Sequence, residues 1–77
     1  MNLYIGNLSY EVEEDDLREA FQPFGEIKSV KVIKDRETGR SKGFGFVEVE
    51  RGEDAIQALN GQSIKGREVR INEARPK

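Results

Sequence analysis

Three aromatic residues lie in two short segments whose spacing could build a chemically useful surface. Tyr4 is in the segment NLYIG, and Phe44 and Phe46 alternate with glycine in KGFGFVEVE. In a strand, neighbouring side chains point to opposite faces, so the two phenylalanines share one face and Val47 and Val49 share the other. A chain this small is expected to leave one sheet face in water. Rings exposed there would be flat surfaces on which nucleobases stack, at about 1–3 kcal/mol per base.

Core packing is the alternative explanation for the phenylalanines, because the same alternation also fits a sheet with its faces reversed. Spacing alone does not separate the two interpretations. Exposing a phenylalanine forgoes about 1.5–3 kcal/mol of burial, so an exposed pair indicates a binding partner. The glycines at positions 43 and 45 are expected to keep the approach to the rings open.

Charge is sorted along the chain, although the formal net charge is only −2. Residues 11–26 carry seven acids and one base, and residues 28–42 carry six bases and two acids. Residues 48–54 are acidic again, and residues 61–77 carry five bases and two acids. A run of like charges can simply form a solvent-exposed face of the protein. These basic blocks could also supply cations that contact phosphates.

Composition excludes several classes of chemistry. With no cysteine and no histidine, the chain offers no disulfide framework, no thiolate zinc site and no histidine-activated nucleophile. We therefore expect no metal and no cofactor. The first residues lack a basic and apolar leader pattern, and no apolar run approaches the ~18 residues that span a bilayer. These features predict a cytoplasmic protein without membrane contact.

The elements that must position the rings follow from periodicity and turn signals. The pattern predicts, in order, a strand at 2–8, a helix at 11–26, a strand at 27–34, a polar loop at 35–41, a strand at 42–50, a helix at 52–61, a turn at Lys65-Gly66 and a last strand around Val69 and Ile71. The order βαββαβ predicts an α+β, ferredoxin-like split βαβ sandwich, with a four-stranded antiparallel sheet and both helices on one face. We expect one domain, residues 1–77, with 74–77 as a loose C-terminal end.

The same periodicity divides the side chains between a core and an uncovered sheet face. The predicted core is Leu3, Ile5, Leu17, Ala20, Phe21, Phe24, Val30, Val32, Val47, Val49, Ala55, Leu59, Val69 and Ile71. The predicted uncovered face carries Asn2, Tyr4, Lys31, Ile33, Phe44, Phe46, Glu48, Arg70 and Asn72. Glu48 should repel phosphate, so we expect it to pair with a nearby cation or to mark the edge of a bound strand.

The two aromatic segments resemble the paired signatures of the RNA recognition motif (RRM) family, and the resemblance covers essentially the whole chain. The family's first-strand signature, aliphatic, aromatic, aliphatic, any residue, Asn-Leu, is met by residues 3–8, LYIGNL. Its third-strand octamer is met by residues 42–49, KGFGFVEV, except at the last position. Within the family, YIGNLSYEV, DRETGRSKGFGFVE and NEARPK are similar to the short single-domain bacterial proteins.

The resemblance implies a monomer that binds single-stranded RNA, with single-stranded DNA left open as a second ligand, and that is not an enzyme. Tyr4 and Phe44 resemble the rings that stack two adjacent bases, and Phe46 resembles the ring that packs against the sugars between them. Lys42 resembles a phosphate contact. The implied RNA-binding residues are Asn2, Tyr4, Lys31, Ile33, Arg40, Lys42, Phe44, Phe46, Arg70, Asn72 and Arg75.

The chain departs from the family pattern at three places. Val49 replaces the aromatic residue that usually ends the octamer, and by alternation it should point into the core. Glu13 stands where a threonine helix cap is common, which should weaken the start of the first helix. The segment from Val49 to Asn60 is about three residues shorter than expected, close to one helical turn, which affects the second helix.

Two other functions are compatible with the same fold. A protein-binding RRM would use altered signatures and an Arg-x-Phe tripeptide, but the signatures here are nearly intact and no such tripeptide occurs. Small phosphatases of this architecture need an arginine in the first strand–helix loop, and residues 7–12 contain none.

Overall fold

Strands and helices alternate in the predicted order in the computed structural model, which describes residues 1–74 apart from the side chain of Ser41. The elements are β1 (Asn2–Gly6), α1 (Glu14–Phe21), β2 (Ile27–Lys34), β3 (Ser41–Val49), α2 (Gly52–Leu59), β4 (Ser63–Ile64), β5 (Arg67–Glu68) and β6 (Arg70–Glu73), with a short 3-10 helix (Gln22–Phe24) after α1. Gly25 follows with a φ of +104° and ends the helical segment, as predicted.

The main sheet has the strand order β2-β3-β1-β6, and its neighbouring strands are antiparallel. This arrangement confirms the predicted α+β ferredoxin-like fold. A separate two-stranded hairpin, β4–β5, was predicted only as a turn. Its two turn residues, Lys65 and Gly66, have φ angles of +54° and +81°, which suit a tight hairpin connection.

The core lies between the helices and one face of the main sheet. All eight predicted strand residues are buried, together with Leu17, Phe21 and Ala55 from the helices. Three more predicted helix residues, Ala20, Phe24 and Leu59, are partly buried against this core. Leu8 and Val12, in the loop after β1, are also buried, and the predicted set did not contain them. Val49 is 1% exposed, so the departure from the family octamer concerns core packing.

The start of α1 is stabilised by more contacts than the poor capping residue Glu13 would lead one to expect. The Asp16 carboxylate accepts a hydrogen bond of 2.8 Å from the Glu13 backbone N–H, which is one half of a capping box. Val12 and Leu17, on either side of Glu13, are both buried and can form a hydrophobic staple. The acidic residues of the first turn therefore stabilise the helix start.

The short helix α2 is fastened to the sheet at its C-terminal end. It has eight residues, and the Asn60 N–H donates to the Ile56 carbonyl over 3.0 Å. The Asn60 side-chain oxygen accepts the Ile71 N–H of β6 over 2.9 Å. Since α1 also has eight residues, neither α-helix in residues 1–74 has the length and apolarity to cross a membrane.

Candidate nucleic-acid interface

Tyr4, Phe44 and Phe46 form one cluster on the sheet face opposite the helices. Their ring centroids are 5.8 Å apart for Tyr4 and Phe44, 5.7 Å for Tyr4 and Phe46, and 6.1 Å for Phe44 and Phe46. These are distances between contacting aromatic rings. Val47 and Val49 are each 1% exposed, whereas Phe46 is 38% exposed, so the reversed arrangement is excluded. We call these three rings the aromatic platform.

The rings of the platform differ in orientation. The planes of Tyr4 and Phe44 make an angle of only 32°. The Phe46 ring stands at 63° to Tyr4 and at 88° to Phe44. Two rings of similar orientation can each take the face of a base, while a third ring across them is placed to contact what lies between the bases. This geometry fits the division of roles that the sequence resemblance implies.

A polar side chain borders the platform on each side. Lys31 of β2 pairs with Phe46, and Asn72 of β6 pairs with Tyr4. Phe46 and Tyr4 are themselves partners in the pairing of β3 with β1. One row of side chains across the four strands therefore consists of a cation, two aromatic rings and an amide. Lys31 and Asn72 are both exposed. The row therefore presents a hydrogen-bonding or charged group on either side of two rings.

The glycines near the platform serve purposes different from the predicted one. A Cβ on Gly45 would collide with the backbone carbonyl of Lys31, so this glycine permits the close pairing of β2 and β3. Gly43 has a φ of +85°, a conformation that favours glycine. The expectation that both keep the approach open is therefore corrected. Gly6 is the glycine beside a platform ring, because a Cβ there would lie 3.0 Å from Tyr4 Cε1.

The predicted cations among the described residues lie on the surface. Arg40 is exposed in the loop between β2 and β3, and Lys42 is exposed on β3. Arg70 of β6 pairs with Gly6 of β1. Its guanidinium lies 3.9 Å from a Glu68 carboxylate oxygen, and the Arg70 side chain is 69% exposed. Since such exposed ion pairs contribute about 0–1 kcal/mol, Arg70 can exchange Glu68 for another anion.

Glu48 lies at one end of the platform. It pairs with Asn2 on β1 and with Ser29 on β2, one row beyond the pairs that Phe46 makes. Asn2 is exposed and Glu48 is half-buried. The ion pairs found within residues 1–74 do not include Glu48. Glu48 was expected either to pair with a nearby cation or to mark the edge of a bound strand. Its position supports the second of these expectations.

The structure does not show two of the predicted site residues at the platform. Ile33 is half-buried and lies where the pairing of β2 with β3 shifts between Val32 and Lys34, so simple alternation does not fix its face. Arg75 lies outside the residues that the structure describes. Its proposed contact with RNA stays a prediction.

Two residues of the loop after β1 have structural features that were not predicted from the sequence. Asn7 has a φ of +57°, donates to the Glu68 carbonyl over 2.6 Å and accepts from Arg67 Nε over 3.1 Å. It therefore ties the loop to the β4–β5 hairpin. Tyr10 is 68% exposed. The sequence did contain a signal for this exposure. Tyr10 is an aromatic residue in a polar stretch, and it occupies none of the predicted core positions.

Residues 1–74 contain no group of three His, Cys, Asp or Glu side chains arranged to hold a metal ion. The side chains at and around the platform are rings, amides and charged groups, which can stack, form hydrogen bonds and form ion pairs.

Comparison with known proteins points to one family. Residues 3–70 match the model of the RNA recognition motif. RbpE of Nostoc sp. is 51% identical to this chain, and the match covers 100% of the chain and 81% of RbpE. The mitochondrial glycine-rich RNA-binding protein 3 of Arabidopsis thaliana is 52% identical over 94% of the chain and 24% of its own length.

Two solved structures have the same fold as this chain. The crystal structure of RNA binding protein PG1 superposes with a TM-score of 0.92 at 49% identity, covering 100% of this chain and 99% of that one. The Sxl-lethal protein in complex with RNA superposes with a TM-score of 0.87 at 32% identity, covering 95% of this chain and 47% of that one. The paired signatures, the fold and these relatives together show that the chain belongs to the RNA recognition motif family.

Proposed function

We propose that this chain binds single-stranded RNA by stacking bases on the aromatic platform while cations around it contact phosphates. The observation that carries the proposal is the mutual contact of three rings on a sheet face that neither helix covers. The relatives support it, since one is named as an RNA-binding protein and another was solved with RNA.

Tyr4 and Phe44 are proposed to stack two adjacent bases, and Phe46 to pack against the sugars between them. Stacking of two bases contributes about 2–6 kcal/mol in total. Association costs about 4–15 kcal/mol in lost freedom of motion, so stacking alone does not give tight binding. Phosphate contacts must supply the rest, and the affinity should fall as salt is raised.

The cations and amides around the platform have distinct proposed tasks. Lys31, Arg40 and Lys42 are exposed and are proposed to contact phosphates. Arg70 and Asn72 of β6 are proposed to reach base edges, because Asn72 is the strand partner of Tyr4. Asparagine offers both a donor and an acceptor, so Asn72 can discriminate between bases.

Further properties belong to the same proposal. RRM RNA-binding proteins are generally not enzymes, and we propose that this one has no catalytic activity. We also propose that it acts as a monomer in the cytoplasm, a reducing compartment that a chain without cysteine tolerates. Single-stranded DNA is proposed as a second ligand that competes with RNA, because stacking does not depend on the sugar. Sedimentation, cell fractionation and DNA competition test these points.

The central experiment is a fluorescence-anisotropy titration of a labelled single-stranded RNA pool. The double variant Phe44→Ala/Phe46→Ala should bind at least about tenfold more weakly than the wild type, because stacking surface is lost for more than one nucleotide. The control variant Arg18→Ala/Gln57→Ala changes exposed residues on the two helices and should bind as the wild type does.

Circular dichroism must show that the platform variant is folded. A folded double variant with unchanged affinity would rule out the platform. If the wild type binds no RNA but retains a protein partner, the chain is instead a protein-interaction module on the same fold.

A further inference from the structure

Asn60 and Gly61 form the one asparagine–glycine pair in the sequence, whereas the other asparagines precede leucine or glutamate. The side-chain amide of an asparagine is open to attack by the backbone nitrogen of the next residue. The attack is least hindered when that residue is glycine, which has no side chain. Both residues are exposed at the end of α2. The pair therefore combines the sequence and the solvent access that spontaneous deamidation requires.

The fold uses this pair to cover the outer edge of the chain that leads into β6. The Gly61 N–H donates to the Val69 carbonyl over 2.9 Å, and the Val69 N–H donates to the Gln62 carbonyl over 2.9 Å. The Asn60 side-chain oxygen accepts the Ile71 N–H over 2.9 Å. Because β6 is an edge strand of the main sheet, these bonds occupy backbone groups that a further strand would otherwise pair. We call these three hydrogen bonds the β6 latch.

The β6 latch holds the two reacting groups apart. Ring closure needs the Gly61 nitrogen on the same side of the Asn60 Cα–C bond as the Asn60 Cβ, whereas the Asn60 ψ of 124° turns that nitrogen away. The Gly61 N–H is bonded to the Val69 carbonyl. The Asn60 amide is held through its oxygen by the Ile71 N–H. Reaction therefore requires the latch to open, which is a local event that leaves the rest of the fold intact.

We propose that Asn60 is a site of spontaneous deamidation, reached when the β6 latch opens, and that its isoaspartate product keeps the latch open and weakens RNA binding. The Gly61 nitrogen gives its proton to solvent and forms a bond to Asn60 Cγ, and the side-chain nitrogen takes up a proton and leaves as ammonia. Water then opens the succinimide at either of its carbonyls, so one water is consumed for each ammonia released. One product is aspartate, and the other is isoaspartate, whose backbone runs through the former side chain.

Isoaspartate at this position lengthens the backbone by a carbon atom and moves the oxygen that accepts the hydrogen bond. The pairing of Gly61 with Val69 and the hydrogen bond from Ile71 are then lost together. β6 also carries Asn72, the strand partner of Tyr4 at the border of the platform. A loosened β6 should therefore weaken RNA binding. This consequence rests on the proposed function, whereas the modification itself does not.

The first test incubates the chain at neutral pH, folded or unfolded in urea, and maps the products by peptide mass spectrometry. Isoaspartyl methyltransferase with S-adenosylmethionine labels isoaspartate and so separates it from aspartate. In the unfolded chain Asn60 should react before the asparagines that precede leucine or glutamate. Folding should slow the reaction at Asn60 at least about tenfold. Equal rates in the two states, or earlier reaction at another asparagine, would overturn the proposal.

Hydrogen exchange identifies the opening that permits the reaction. The Ile71 amide exchanges only when its bond to Asn60 is broken, so its protection factor measures how rarely the latch opens. The slowing of deamidation by folding should agree with that factor within about threefold. A much weaker slowing would mean that the closed latch reacts, and a much stronger one would mean that opening the latch is not sufficient. Either result would overturn the proposal.

The variant Asn60→Asp is the matched control for the product, because it has the composition and charge of the isoaspartate form with an unchanged backbone. The isoaspartate form, separated by chromatography, should show at least about tenfold less Ile71 protection than Asn60→Asp and bind single-stranded RNA at least about threefold more weakly. Equal protection or equal RNA affinity in the two forms would overturn the proposal. A failure of the proposed function is distinguishable, since neither form nor the wild type would then bind RNA while the difference in protection remained.

Discussion

Tyr4 lies directly opposite Phe46 in the antiparallel pairing of β1 with β3, and the two ring centroids are 5.7 Å apart. β1 is an interior strand that also pairs with β6. The contact between the rings therefore depends on strand register. Leu3 and Ile5, on either side of Tyr4, are fully buried, so a slip of one residue would exchange core and platform. The core thus fixes the register, and the register assembles the binding face.

Replacing Lys42 with alanine should reduce the salt dependence of RNA binding. Each phosphate contact on a single strand contributes a slope of about −0.7 to a plot of log K against log salt, through release of counterions. The magnitude of the slope should therefore fall by about 0.7 in Lys42→Ala. Titrations at four NaCl concentrations measure it. Arg18→Ala, which removes an exposed cation from α1, is the matched control, and an identical slope in both variants would contradict a phosphate contact by Lys42.

A methyl group added at Gly45 should destabilise the sheet. The new Cβ would press on the backbone carbonyl of Lys31, which cannot rotate away as a side chain can. We expect Gly45→Ala to lower the free energy of unfolding by about 1–3 kcal/mol, as overpacking does. Urea denaturation measures the change, with Ser29→Ala on the exposed surface of β2 as the control. Equal stability of Gly45→Ala and wild type would show that the backbone of β2 shifts to accommodate the methyl group at little cost in free energy.

Strand alternation was sufficient to divide the side chains of β3 between two sheet faces, but it did not decide which of these faces is the core. Phe44 and Phe46 fall on one face and Val47 and Val49 on the other because period two holds through β3. Val69 and Ile71 were assigned to the core on the same basis and are buried. The helix ends at Gly25 and Asn60 also follow from local residue preferences, since a positive φ or a turn is needed there.

The loops could not be predicted from periodicity. Leu8 is buried because its N–H reaches Gly43, a contact between residues far apart in the sequence. The β4–β5 hairpin adds strands of two residues each, too short to show alternation. The role of Gly45 depends on how closely the neighbouring strand approaches, which the sequence of β3 alone does not contain. The exposure of Tyr10 was not predicted either, because its surroundings come from two separate loops.

Asn60 should stabilise the short helix α2 through its side chain. Its oxygen accepts the Ile71 N–H over 2.9 Å, in a partly buried position. Asn60→Ala leaves this donor without its acceptor and should cost about 1–3 kcal/mol of unfolding free energy. Asn60→Asp keeps an oxygen at that position and should lose less. Thermal unfolding compares the two with Gln57→Ala, an exposed change in α2; an equal loss in the alanine and aspartate variants would argue against the hydrogen bond as the cause.

Neutralising Glu48 should strengthen RNA binding. Its carboxylate lies one row from Phe46, where it repels the phosphates of a strand on the platform. Two unit charges about 4 Å apart in water interact by about 1 kcal/mol, so Glu48→Gln should raise the affinity by up to about fivefold at low salt. The gain should shrink as salt is added. Glu53→Gln on the exposed surface of α2 is the control, and a loss of affinity in Glu48→Gln would mean that the carboxylate accepts hydrogen bonds from the RNA.

Stacking of bases on the aromatic platform is most directly tested by NMR titration of the chain with a short single-stranded RNA. The ring resonances of Tyr4 and Phe44 and the base protons of two adjacent nucleotides should shift upfield together, with intermolecular contacts between them. The backbone signals of β1 and β3 should move, and those of the outer surfaces of α1 and α2 should stay in place. Base protons that keep their free shifts at saturation, or shifts confined to the helices, would contradict the account.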